Sequence, residues 1–117
     1  MFRFEKLNVW QRAPAFADSI YPHSGTFPVE ERYGLTTQIR RAAVSISSNL
    51  AEGSARTDPD FAKFISYSTG SLYEVVPQLH VASRQGFIDE TVFRLLYSES
   101  EEISRMLSGL RDSLDLP

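Results

Sequence analysis

Apolar side chains return along this chain at spacings of three and four, the period of one helix face. No segment alternates at the period of two that marks a half-buried strand. The first helix is expected over about 5–23, where Leu7, Trp10, Pro14, Ala17 and Tyr21 form a stripe that Ala13 and Ile20 widen. Pro14 stands inside that stripe, and a mid-helix proline costs about 3 kcal/mol. This helix therefore either kinks or starts near Ala13. His23-Ser24-Gly25-Thr26 reads as a loop. A second helix over about 28–52 opens on Pro28, with Glu30 and Glu31 placed well against the helix dipole. Gly34 weakens its first turns, and Gly53 is expected to end it in the left-handed cap position.

The third helix, about 59–85, has the clearest punctuation: Asp58 as N-cap, Pro59 in the first helical position and Gly86 as the stop. Phe61, Phe64, Ile65, Ser68, Leu72, Val75, Val76, Leu79 and Ala82 lie on one face, and Pro77 on the opposite face should bend the helix rather than end it. Asp89 caps a fourth helix over about 90–114, whose apolar side is Val92, Leu95, Leu96, Ile103, Met106, Leu107, Leu110 and Leu114. Glu90 with Arg94 and Glu101 with Arg105 are spaced as surface ion pairs. Connections of about five residues or fewer make sequential helices antiparallel neighbours. The expected fold is all-α: one antiparallel up-down four-helix bundle spanning residues 1–117.

Composition changes this picture little. The chain of 117 residues is 42% hydrophobic and 23% charged, ordinary values for a domain with one core. With no cysteine, disulfides and thiolate metal sites are excluded. No stretch reaches the roughly 18–20 apolar residues that span a bilayer, and Met1-Phe2-Arg3-Phe4-Glu5-Lys6 has no apolar signal core. A cytoplasmic protein is expected. The net charge is −3; residues 1–60 hold seven Lys/Arg and seven Asp/Glu, residues 61–117 five and eight. All the acidity lies in the second half, which argues against a strong global pull on nucleic acid but leaves room for a local basic face.

Little in the sequence carries catalytic chemistry. His23 and His80 are the only histidines, without a ligand at helical spacing, and are read as structural or surface residues. There is no glycine-rich phosphate loop, no nucleophile-elbow serine and no Glu-x-x-His pair of the di-iron bundles. No enzyme, metal or cofactor is expected, nor a small-molecule substrate. Glu99 falls inside the apolar stripe of the fourth helix, between Leu96 and Ile103. A lone carboxylate there is costly unless it is paired or protonated. It reads as a residue at the stripe's edge or an arginine partner, and a functional role would need a second titratable group beside it.

The second helix is more informative. Its core face is Leu35, Ile39, Ala42, Ala43, Ile46 and Leu50; its back carries Thr37, Arg41, Ser45, Ser48 and Glu52, with Asn49 close by. Small hydroxyl and amide side chains are poor helix formers, because they compete for backbone hydrogen bonds. Massed on one face, they let another backbone approach and still offer hydrogen bonds. An interface explains them better than a plain solvated surface.

The run Arg40-Arg41-Ala42-Ala43-Val44-Ser45-Ile46-Ser47-Ser48-Asn49-Leu50-Ala51-Glu52-Gly53 also closely resembles the signature of the bacterial four-helix-bundle proteins of the 23S rRNA intervening-sequence family. Around it stand Leu7-Asn8-Val9-Trp10-Gln11-Arg12-Ala13, Ile20-Tyr21, Phe27-Pro28 with Glu31, Tyr33-Gly34-Leu35, Asp60-Phe61 and Gly70-Ser71-Leu72-Tyr73-Glu74, so the resemblance covers essentially the whole chain. It implies a bundle that assembles into a homopentameric ring. It also implies similarity to the accessory protein of diversity-generating retroelements, a pentamer associated with nucleic acid and reverse transcriptase. No enzymatic activity is implied. Two departures stand out: Pro77 falls where the family helix is regular, and this chain is acidic where the retroelement protein is basic.

The sequence is thus read as a non-enzymatic, homo-oligomeric helical scaffold with nucleic-acid or ribonucleoprotein binding as a candidate role. Arg40, Arg41, Ser45, Asn49 and Glu52 are the expected assembly residues. Arg3, Lys6, Arg12, Arg56 and Lys63 are the candidates for phosphate contact. One alternative is a protein–protein interaction module without nucleic acid. A more distant one is an enzyme built across subunit boundaries with Glu99 or Glu52 as its acid.

Overall fold

The computed structural model describes Met1–Pro117 and is all-α, with no strand. Four helices account for it: α1 (Asn8–Ser24), α2 (Leu35–Ser54), α3 (Asp58–Arg84) and α4 (Glu90–Asp112). Each packs on its neighbours in the order α1–α2–α3–α4 and α4 closes back on α1, while the diagonal pairs stay apart. The result is an elongated bundle of 46 × 24 × 23 Å. Its axis is filled by Phe16, Ile20, Ile39, Ile46, Leu50, Phe61, Ile65, Leu72, Leu79, Leu96, Ile103 and Leu107, all essentially without solvent contact.

Several boundaries differ from the sequence reading, each for a physical reason. Residues ahead of α1 form a short 3-10 turn, Arg3–Lys6, and α1 starts only at Asn8. Pro14 and Pro22 both lie within α1 without ending it. The core face of α1 is Val9, Ala13, Phe16, Ala17 and Ile20, so Tyr21 is turned out to solvent rather than in. Pro28 opens a second 3-10 turn, Val29–Glu31, not the helix itself. The chain bends at Gly34, and α2 begins at Leu35, whose N–H donates to the Glu31 carboxylate at 3.2 Å. The α1–α2 connection is consequently residues 25–34, longer than expected.

Gly53 does not terminate α2. It lies within the helix, buried, and the only left-handed residue in the chain is Gly86, with φ 76°. Gly53 serves a close approach instead: a Cβ there would sit 2.4 Å from Phe64 Cβ and 3.0 Å from the Phe61 ring. At the far end of α3 the stop is as expected, with Phe87 N–H reaching back to Ala82 O at 2.8 Å past Gly86. Asp58 is the first residue of α3, not its cap; its carboxylate accepts from the Asp115 N–H at 2.9 Å and faces Arg3. Asp89 does cap α4, accepting from Val92 N–H at 2.8 Å. Pro77 sits on the exposed side of an unbroken α3. No helix is long and apolar enough to cross a membrane.

Candidate functional site

The α2–α3 seam is the most extensive in the bundle, and its closeness follows from small side chains. Ser68 on α3 is fully buried and donates to Ile46 O at 2.8 Å. The Ser45 hydroxyl on α2 lies within hydrogen-bonding distance of the Ser71 hydroxyl and of Ala42 O, and Asn49 Nδ2 donates to Ser45 O at 2.9 Å. Part of the polar face of α2 is thereby used inside the chain: Ser45 and Asn49 are half-buried on the flank that meets α3, not on the outer back.

Beside this seam runs a polar groove of about 350 Å³, lined by Gln38, Arg41, Ala42, Ser45, Ser71, Glu74 and Gln78. Arg41 and Glu74 both face it, and neither has an ion-pair partner within the chain. Gln78 Oε1 is buried there without any hydrogen-bond donor. On the other flank of α2 a second groove is lined by Tyr21, Thr37, Arg40, Arg41, Val44, Ser45 and Ser48. Arg41 and Ser45 line both grooves, so α2 stands as a ridge between them, with Arg41, Val44 (40% exposed) and Ser48 exposed on its outer side. That relief is the one by which helices interlock.

The other expected assembly residues are placed differently. Arg40 turns toward α1: its Nε donates to Ser24 Oγ at 2.9 Å, an Nη donates to Tyr21 O at 3.1 Å, and the guanidinium lies 4.6 Å from the Tyr21 ring centre. A cation on the last carbonyls of α1 answers the helix dipole, so Arg40 ties α2 to α1 within the chain. Glu52 pairs with Arg56 at 3.5 Å, one turn along and across the end of α2.

The phosphate-contact candidates fall into two places. Arg3, Arg56 and Lys63 gather around the α2–α3 turn. Arg3 donates to Ser54 O at 3.1 Å and lies 3.9 Å from Asp58, Arg56 rests over the Phe64 ring at 4.8 Å, and Lys63 is 3.8 Å from Asp60. Arg12 is elsewhere, on α1, paired with Glu102 of α4. Only Lys6 is without a carboxylate neighbour. The three basic groups at the turn are thus matched by Glu52, Asp58 and Asp60.

Glu99 sits half-buried between α4 and α1, in a small cleft with Arg12, Ala15, Phe16, Ser19 and Ile103. Burial pushes its pKa above the usual 4.5; the nearby Ser19 hydroxyl and the charges of Arg12 and His23 pull the other way, and Glu102 adds to the rise. His80 packs edge-on against Phe93 at 5.0 Å and Tyr97 at 6.0 Å. No group of three His, Asp or Glu side chains is close enough together to hold a metal ion.

Sequence reasoning missed Gln78 and Glu74. Gln78 carries no periodic signal, although its place on the α2-facing side of α3, one turn past Glu74, could have been read from the helical period.

Among curated proteins no relative matches the chain. A solved structure described as a protein of unknown function from the S23 ribosomal protein family of Bacteroides thetaiotaomicron superposes with a TM-score of 0.80. It shares 21% identity, covering 90% of this chain and 99% of the other, a likeness of fold. The family model described as 23S rRNA-intervening sequence protein matches residues 5–109. The chain belongs to the 23S rRNA-intervening sequence protein family.

Proposed function

We propose that this chain is a non-enzymatic helical scaffold that assembles with copies of itself through the outer ridge of α2 and its groove with α3. The observation that carries the reading is the unanswered polarity of that groove. Gln78 Oε1 is buried without a donor, and Arg41 and Glu74 face the same space without partners. A buried acceptor left unmade costs about 1–3 kcal/mol. A donor brought by a second copy removes that cost, and an arginine fork can satisfy a carboxylate and an amide oxygen together. A ring of five copies, as the family resemblance implies, repeats this contact head to tail.

Sedimentation velocity tests it. Arg41→Ala should shift the assembly to smaller species, as should Arg41→Glu, and the charge-exchanged double variant Arg41→Glu with Glu74→Arg should regain larger ones. An assembly indifferent to both single changes would refute the interface.

Nucleic-acid binding is the weaker reading of the same scaffold. Four of its five candidate residues, Arg3, Arg12, Arg56 and Lys63, already have carboxylate neighbours. Counterion release, which drives phosphate binding, needs positive charge not already matched by acid. A salt titration separates the readings: RNA or DNA binding falls steeply with salt, by a log–log slope of about 0.7–0.9 per phosphate contacted. The expected result is no appreciable binding even at about 50 mM salt, where screening is weak.

A further inference from the structure

On the opposite side of α3 from the assembly groove, the α3–α4 seam opens into a cleft of about 310 Å³, lined by Leu72, Tyr73, Val76, Pro77, Tyr97, Ser100, Glu101 and Ser104. That volume is at the bottom of the range for ligand clefts, about 300–1,000 Å³, and suits one long side chain better than a cofactor. Two tyrosines stand at it, Tyr73 at 67% and Tyr97 at 36% exposed. Phe93 and His80 extend the aromatic surface beyond Tyr97, with ring centres 5.7 and 6.0 Å from it.

The charged group at the cleft is an acceptor, and its hydroxyls can accept as well. Glu101 is exposed, and its expected partner Arg105, one turn on, is not within ion-pair distance; α4 forms the equally spaced Glu90–Arg94 pair at 2.7 Å but not this one. No lysine or arginine lines the cleft. Ser100 Oγ gives its hydrogen to Leu96 O at 2.8 Å, so toward a ligand it can only accept. Pro77 has no N–H, so the Tyr73 carbonyl lacks the donor that would close its helical turn. Aromatic faces, one free carboxylate, a serine oxygen and a released carbonyl make a receptor for a cation carrying several N–H donors on an apolar stem.

We propose that this cleft receives an arginine side chain from an extended basic segment of a partner protein. The guanidinium stacks on Tyr97 or Tyr73, its fork donates to Glu101, and the methylene stem lies on Val76 and Pro77. Arginine fits better than lysine, because a planar fork can serve the carboxylate and a second acceptor at once while stacking. The surplus of acid in residues 61–117, eight Asp/Glu against five Lys/Arg, steers a basic segment toward this half of the chain. The site lies on a different seam from the assembly groove and does not depend on that reading.

The test uses the intact chain and a blocked five-residue peptide with one central arginine among glycines, followed by NMR titration. Shifts should concentrate on Tyr73, Tyr97, Ser100 and Ser104. Glu101→Gln should weaken binding about tenfold, the effect of losing one charge-assisted contact, and Tyr73→Leu should weaken it while leaving the helical spectrum intact. The same peptide with citrulline, which keeps the shape without the charge, should not bind. Equal binding of citrulline, shifts scattered over all carboxylates, or an equal loss in the control Glu90→Gln would overturn the proposal. So would a drop in the assembly's sedimentation coefficient caused by Glu101→Gln, since the occupant would then be a second copy of this chain.

Discussion

Gly53→Ala isolates what sets the spacing of α2 and α3. In an exposed helix the change from glycine to alanine stabilises, by about 0.8–1 kcal/mol, because the unfolded chain loses freedom and the helix gains a good former. At Gly53 the new Cβ would stand 2.4 Å from Phe64 Cβ, with Phe61 Cδ1 and Phe64 Cγ each at 3.0 Å. Ordinary carbon contacts are at about 3.5–4.0 Å. A Cβ is fixed by its backbone and cannot rotate away, so relief requires α2 and α3 to part by roughly 1 Å at this end. Parting them loosens Phe61, which is fully buried, and strains the packing of the seam. Overpacking of this kind costs about 1–3 kcal/mol, and here it must also cancel the propensity gain. The expected net loss is about 1 kcal/mol, or a Tm lower by roughly 4 °C for a chain of this size. Thermal melts at fixed protein concentration measure it, because assembly makes Tm depend on concentration. Gly70→Ala is the matched control: Gly70 is mid-helix, with open space within 4 Å of where its Cβ would stand, and the change should add about 0.5–1 kcal/mol of stability. A Gly53→Ala protein as stable as Gly70→Ala would refute the close-approach argument and return Gly53 to the role of a helix end.

Leu72→Ala, at a fully buried position of α3, should cost about 2–5 kcal/mol in denaturant unfolding; a loss under roughly 0.5 kcal/mol would mean α3 is rotated away from this packing. Asp89 is the one N-cap residue of the four helices whose own side chain bonds its helix, and Asp89→Ala should cost about 1 kcal/mol, whereas Asp89→Asn should be nearly neutral. Glu99 binds a proton more tightly in the folded chain than in the unfolded one, so its stabilising contribution is full below pH 4.5 and is lost as pH rises through the raised folded value. Glu99→Gln should therefore be more stable than the parent at pH 7, with the gain shrinking as the pH falls toward 4.5; a gain independent of pH would show that charge is not the cause.

The apolar period of α2 placed five of its six core residues in the dry interior, Ile39, Ala42, Ala43, Ile46 and Leu50, with Leu35 only partly buried against it, because few other apolar residues flank them. It misplaced α1 for a definite reason. Leu7 and Trp10 do pack against the core, but Tyr21 counts as apolar in a stripe while its hydroxyl end tolerates water, and Val9 and Phe16 were the residues that had to be dry. Once Tyr21 is outside, its ring is available to carry Arg40. The glycines were ambiguous in another way. Gly53 and Gly86 both follow a helical stretch and precede a short connection, but one is used for a missing Cβ against Phe64 and the other for a positive φ. Those two uses leave the same letter in the sequence, and only the position of Phe64, after the turn, separates them.

The candidate site was legible in type but not in membership, and the reason lies in how charges find partners. Arg56 with Glu52 and Lys63 with Asp60 are helical neighbours, so their neutralisation could be read from spacing. Arg3 with Asp58 and Arg12 with Glu102 are brought together only by the fold. Spacing alone also misleads, since Glu101 and Arg105 have the same separation as Glu90 and Arg94, yet only the latter pair forms. An exposed pair of this kind gains a few tenths of a kcal/mol, too little to fix a side chain against competing solvation. The residues that matter for recognition are then those left over after the fold has paired what it can. Removing the intramolecular pairs turns a basic rim into a nearly neutral surface. It leaves Arg41 and Glu74 beside a buried orphan amide oxygen, and Glu101 beside two open tyrosines. Among the charged residues left over, Arg41, Glu74 and Glu101 lie in grooves and stand next to an acceptor or an aromatic face. That combination, rather than the count of basic residues, points both proposed contacts toward protein partners.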